Sequence, residues 1–229
     1  MIRSILVHIP RTGGTSIQKF MEARYISQRM YFEKKDTVIE VPRDVQFISS
    51  CHSSVKIAFD RNLFDKKIWD NSLKFAFVRN PWDRLVSIWL YYSSFRLGKV
   101  YPSNYALRTF DAFVMEVIRD GKWRYSLDLR NSQPYFNHVL PQTTWLSQGV
   151  NYIGRFENFD KDWSKVCSIM GIPYKRPMQT NSTSHYHYSY YYNDKTRKIV
   201  EDFYTEEIGF FRYKFERQKW QANYSGVLV

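Results

Sequence analysis

Short apolar runs alternate along this chain with longer stretches of helical period. The run over residues 3–9, with Ile5, Leu6 and Val7 in succession, predicts a first strand. A helix over about 15–25 follows, with Ile17, Phe20, Met21 and Tyr25 on one face. Residues 45–50 and 73–78 predict a second and a third strand, both short and largely apolar as strands buried on two faces are. Asn80 then suits an N-cap and Pro81 the first helical position, where its missing N–H is no loss. Trp82, Leu85, Val86, Trp89 and Leu90 continue as one apolar stripe. Phe110, Phe113, Val114, Val117 and Ile118 repeat that pattern, and residues 152–154 predict a fourth strand. It leads into a helix with Phe159, Trp163, Val166, Cys167 and Met170 on one side. The Tyr-rich stretch 184–192 reads as an irregular loop, and Asp194 starts the last long helix. With no repeat or linker, the alternation predicts an α/β fold: a single domain over 1–229 with a central, mainly parallel sheet flanked by helices.

Composition adds bounds rather than identity. In 229 residues, 44% hydrophobic content with 18% aromatics suits one packed domain and excludes a disordered chain. The 34 Lys and Arg against 22 Asp and Glu leave a net charge of +12, which attracts anions of any kind. Two distant cysteines, Cys51 and Cys167, form neither a disulfide framework nor a metal site and read as reduced core thiols. The N-terminus lacks the apolar run of a leader or anchor, so a cytoplasmic protein without a membrane segment is expected.

Two strand–helix junctions carry the candidate chemistry. In the first, His8-Ile9-Pro10-Arg11-Thr12-Gly13-Gly14-Thr15-Ser16, adjacent glycines allow a sharp turn whose N–H groups approach a ligand. The helix beyond points its positive end at the same place, Thr12, Thr15 and Ser16 supply hydroxyls, and Arg11 a fixed cation. This is a P-loop-like, nucleotide-binding arrangement, yet not the Walker A pattern, because no Lys precedes Ser16. In the second, Arg79 ends the third strand and Ser87 lies two turns into the next helix, so both can converge on one anion. Taken alone, the second junction fits better as Arg79 with an ordinary carboxylate partner and Ser87 as a solvated helix residue.

Together the two junctions resemble the signature of the PAPS-dependent sulfotransferases, in particular the branch that includes the glycan O-sulfotransferases. The first is similar to the 5′-phosphosulfate loop of that family and the second to its 3′-phosphate site. Residues 154–158 and 204–215 also resemble family segments, so the likeness spans nearly the whole chain. It departs at Arg11, where the family usually carries Lys; Arg keeps the charge and offers a planar fork.

The resemblance implies transfer of a sulfonate from PAPS to an acceptor hydroxyl, which that branch places on a carbohydrate, leaving 3′,5′-bisphosphoadenosine (PAP). Arg11, Thr12, Gly13, Gly14, Thr15 and Ser16 would hold the phosphosulfate, Arg79 and Ser87 the 3′-phosphate, and Asn181 or Ser182 would close over the nucleotide. Arg11 would also act on the departing charge. Among five histidines, His52 is the candidate base, because it closes the second strand at the sheet edge; the competing reading is a cap for a helix near Ser53. His8 reads as a packed core residue, and His138, His185 and His187 as surface or acceptor-groove residues, with Gln142, Trp145 and the tyrosines near 186–192 as acceptor or adenine neighbours. No metal-ligand spacing is evident. Two other readings stand beside this one. A nucleotide kinase would need ATP and magnesium, and a polyanion or nucleic-acid binder would show salt-sensitive binding without turnover.

Overall fold

The computed structural model describes residues 3–30, 41, 43–50, 59–60, 62, 64–93, 109–121, 136–180 and 185–218. Five strands, β1 (Ser4–Val7), β2 (Ser27–Arg29), β3 (Phe47–Ser49), β4 (Leu73–Val78) and β5 (Tyr152–Arg155), pair in the order β2-β3-β1-β4-β5. All four pairings are parallel, so the expected mainly parallel sheet is parallel throughout the described residues.

Side-chain alternation explains why both faces are covered. Leu6, Phe47, Phe75 and Phe77 point to one side, where α1 (Gly14–Glu22) and α6 (Phe159–Met170) bury them with Ile17, Phe20, Trp163 and Val166. Ile5, Val7, Ile48, Ala76 and Val78 point to the other. There α3 (Pro81–Ser93) contributes Trp82, Leu85 and Val86. The remaining helices are α2 (Lys66–Asp70), α4 (Phe110–Phe113), α5 (Thr143–Leu146), α7 (Asp194–Phe203) and α8 (Thr205–Phe211).

Local chemistry sets the ends. Asn80 Oδ1 accepts from the Trp82 and Asp83 N–H groups at 3.1 and 3.3 Å, the expected cap of α3. Beyond α4 the turn widens to a π-helix over Val114–Arg119, and all five apolar positions expected there are buried. The helix from Asp194 breaks at Tyr204, whose hydroxyl donates to the Val139 carbonyl at 2.6 Å. The Tyr-rich stretch holds a 3-10 turn, Tyr188–Tyr191. Strand β2 was not legible: three polar residues at the sheet edge carry no apolar signal. Cys167 is buried in the core with its thiol pushed up to about 11 by burial, so it stays protonated and inert; Cys51 lies outside the described residues. No helix of the described residues is long and apolar enough to cross a membrane.

Candidate active site

Val7, the last residue of β1, stands beside Ala76, two residues before the end of β4, so the loops that follow both strands leave the same edge of the sheet. β1 is also the point where the chain order reverses, the usual ligand position of open parallel sheets. An open cleft of about 190 Å³ lies there. Its lining includes Arg11, Gly13, Gly14, Thr15 and Ser16 from the first junction, and Arg79 and Ser87 from the second.

The first loop is shaped by two left-handed residues, Arg11 at φ 65° and Gly13 at φ 87°. Glycine takes that conformation freely, whereas Arg11 holds it at some cost in backbone strain. Gly13 caps α1 through its backbone alone: its carbonyl accepts from Ser16 N–H at 3.0 Å. Thr12 is buried and its hydroxyl donates to the Ile9 carbonyl at 2.9 Å, so this side chain ties the turn together rather than lining the cleft. The Ser16 hydroxyl meets Thr180, accepting from its N–H at 3.0 Å and lying 3.2 Å from its Oγ1. That contact brings residues 179–180 to the rim, just before Asn181 and Ser182, which lie outside the described residues.

His8 sits immediately past β1, buried, with its backbone N–H donating to Ser50 Oγ at 2.9 Å. Its ring covers Gly14: a Cβ there would fall 2.2 Å from His8 Cδ2. Gly14→Ala must therefore displace a buried ring, and overpacking of this kind costs about 1–3 kcal/mol. The expected result is a lower melting temperature together with weaker anion binding. Wild-type values of both would show that the His8 ring is not fixed against the loop.

The second junction is held from several sides. Arg79 Nε donates to Asp83 Oδ2 at 2.7 Å and Nη1 donates to the Arg11 carbonyl at 3.2 Å. Its guanidinium lies over the Phe156 ring, 4.4 Å from the centroid. Arg79 thus has the carboxylate partner of the plainer reading, and that carboxylate holds it at the cleft wall. Ser87 is fully buried, not solvated, and its Oγ accepts from Arg11 Nε at 3.0 Å. Arg11 also lies over Tyr91, 4.7 Å from the ring centroid. The loops that the sequence placed 76 residues apart are linked by two hydrogen bonds.

The other candidates divide. His138 lines the cleft near Tyr91, and His185 Nε2 stands 3.5 Å from Arg79 Nη2. His187 caps its own 3-10 turn by accepting from Ser189 N–H at 3.4 Å. Gln142 and Trp145 are buried rather than facing an acceptor groove. His52 lies outside the described residues. Sequence reasoning missed the supports beneath the site. Glu157 accepts from the Asn80 N–H at 2.5 Å and from the Tyr213 hydroxyl at 3.1 Å, which ties the 154–158 and 204–215 segments to the second junction. Among the described residues no cluster of three His, Cys, Asp or Glu could hold a metal ion.

Comparison with known proteins agrees with this geometry. The profile described as the sulfotransferase family matches residues 4–214. An uncharacterized protein of Archaeoglobus fulgidus is 31% identical over 140 residues, which are 61% of this chain and 95% of that protein. The fold is shared with the sulfotransferase from Alicyclobacillus acidocaldarius, at a TM-score of 0.51 and 12% identity over 91% of this chain and 93% of that one. It is shared too with the mouse sulfotransferase SULT7A1 complexed with PAP, at 0.52 and 15% over 90% and 84%. With a family match that runs through both junctions, the chain belongs to the sulfotransferase family.

Proposed function

We propose that this protein transfers the sulfonate group of PAPS to a hydroxyl of a carbohydrate acceptor. The observation that carries this reading is the joining of two anion-binding junctions in one cleft by Arg11, through Ser87 and Arg79. One phosphate-bearing end of a nucleotide fits the Gly13-Gly14-Thr15-Ser16 turn, where N–H groups and the α1 dipole favour negative charge. A second phosphate fits Arg79 and Ser87, with Phe156 lining the same cleft. PAPS carries both charges, and the mouse sulfotransferase of the same fold holds PAP.

In the proposed reaction the acceptor oxygen attacks sulfur, forming an O–S bond as the bond from sulfur to the 5′-phosphate oxygen breaks in line. PAP leaves with the bonding pair, and the acceptor proton passes to a base, for which His52 is proposed. Arg11 and the loop N–H groups would stabilise the charge that builds on the departing phosphate. The test is a transfer assay with labelled PAPS across a panel of carbohydrates, tyrosine peptides and phenols. Label on a carbohydrate is expected; label only on another class would replace the acceptor. ATP turnover with magnesium and no PAPS turnover would favour a kinase instead. Salt-sensitive polyanion binding with no turnover at all would remove the enzyme reading.

A further inference from the structure

A buried amide and carboxylate lie directly behind Arg79. Gln142, with no exposed surface, bonds the Arg79 peptide on both sides: Oε1 accepts from the Arg79 N–H at 2.8 Å and Nε2 donates to the Arg79 carbonyl at 2.8 Å. A side-chain amide here takes the place that a neighbouring strand's peptide would fill at the end of β4. Its second Nε2 proton goes to Glu207 Oε1 at 3.1 Å, and the Gln142 backbone N–H donates to Glu207 Oε2. Glu207, on α8, is itself fully buried. Burial pushes its carboxyl above the usual range, against the charge of Arg84 and the two Gln142 donors, which hold it down. Arg84 is buried beside it, with Nη2 donating to the Leu140 carbonyl at 2.6 Å and the guanidinium over the Tyr204 ring.

A buried, charged relay is expensive to build, since each group must be desolvated and then satisfied. An apolar core would fill the same space without that penalty. The chain of bonds from Glu207 through Gln142 ends on the peptide of Arg79, whose side chain lines the cleft and bonds Asp83 and the Arg11 carbonyl. We infer that Gln142 and Glu207 are positioning residues for the nucleotide's 3′-phosphate: they fix the Arg79 backbone so that its guanidinium meets that group without reorganising. This rests on the assignment of Arg79 to the 3′-phosphate.

The affinity ratio of PAP to adenosine 5′-monophosphate isolates the 3′-phosphate and can be read by calorimetry. Gln142→Met keeps the length and removes the amide, and should lower the ratio about tenfold, the scale of one to two hydrogen bonds. Adenosine 5′-monophosphate affinity should stay unchanged. Glu207→Gln is nearly isosteric and leaves one Gln142 donor facing an amide NH2; a fall of about threefold is expected, and this variant carries the test if Gln142→Met does not fold. A ratio unchanged in Glu207→Gln and in any folded Gln142→Met, or equal losses for both nucleotides, overturns the inference and leaves a purely structural relay. Arg79→Ala separates the two levels, with an expected loss of roughly 10- to 150-fold in the ratio. If Arg79→Ala leaves the ratio intact, the 3′-phosphate assignment itself fails, and the inference with it.

Discussion

A Trp163→Ala variant is expected to lose about 3–5 kcal/mol of unfolding free energy, the range for removing a large buried aromatic. Trp163 is fully buried on α6, edge-on to Phe20 of α1 with centroids 5.7 Å apart, and tilted against Phe75 of β4 at 6.3 Å. Its Nε1 also donates to the Lys175 carbonyl at 3.0 Å. Alanine therefore opens a cavity between sheet and helix and strips a partly buried carbonyl of its donor. Against a typical total of about 5–15 kcal/mol, such a loss is a large share of the stability. The consequence reaches the cleft, because Phe20 lies on the helix whose first turn lines it. Urea denaturation with an unchanged slope would measure it. A loss under about 1 kcal/mol, nearer the surface range, would mean that α1 and α6 do not depend on this contact.

The fold was legible where one period dominated. Residues 73–78 became β4 without change, since six residues flanked by a polar turn and a capped helix leave no ambiguity. The stripe from Trp82 to Leu90 lies on α3 as read, with Trp82, Leu85 and Val86 at the core. β2 stayed hidden because Ser27, Gln28 and Arg29 are held by backbone pairing to β3 rather than by burial. In the cleft, Arg11 and Arg79 were legible as candidates because a glycine turn and a strand end leave local marks. Ser87 alone read better as solvated; only its burial behind Arg11 corrects that. Gln142, Glu157 and Glu207 were missed or misread for the opposite reason. Their role is to bond a backbone 63, 77 or 65 residues away, and no local pattern encodes such a distance.

The Arg11 position should decide how the proposed transfer works. Arg11→Gly removes the cation and also relieves a left-handed backbone (φ 65°) that glycine adopts freely. The two effects then separate. Stability should change little, since strain of about 1–2 kcal/mol is released while the hydrogen bond to buried Ser87 and the contact to Tyr91 are lost. Turnover should fall by about 10²–10³, or about 2.7–4 kcal/mol, the scale for deleting one group that stabilises developing charge. Affinity for PAP should change less, because Arg79, Ser87 and the loop N–H groups remain. Arg11→Lys tests which property of arginine matters. Arg11 donates through Nε to Ser87 while its fork extends over Tyr91, a geometry that an ammonium cannot share between two partners. If charge alone carries the step, Lys restores most of the turnover lost in the Gly variant. If the tether to Ser87 sets the approach of the guanidinium to the leaving oxygen, Lys restores binding but not turnover. Full activity in Arg11→Gly would remove Arg11 from the chemistry and leave it as a link between two loops.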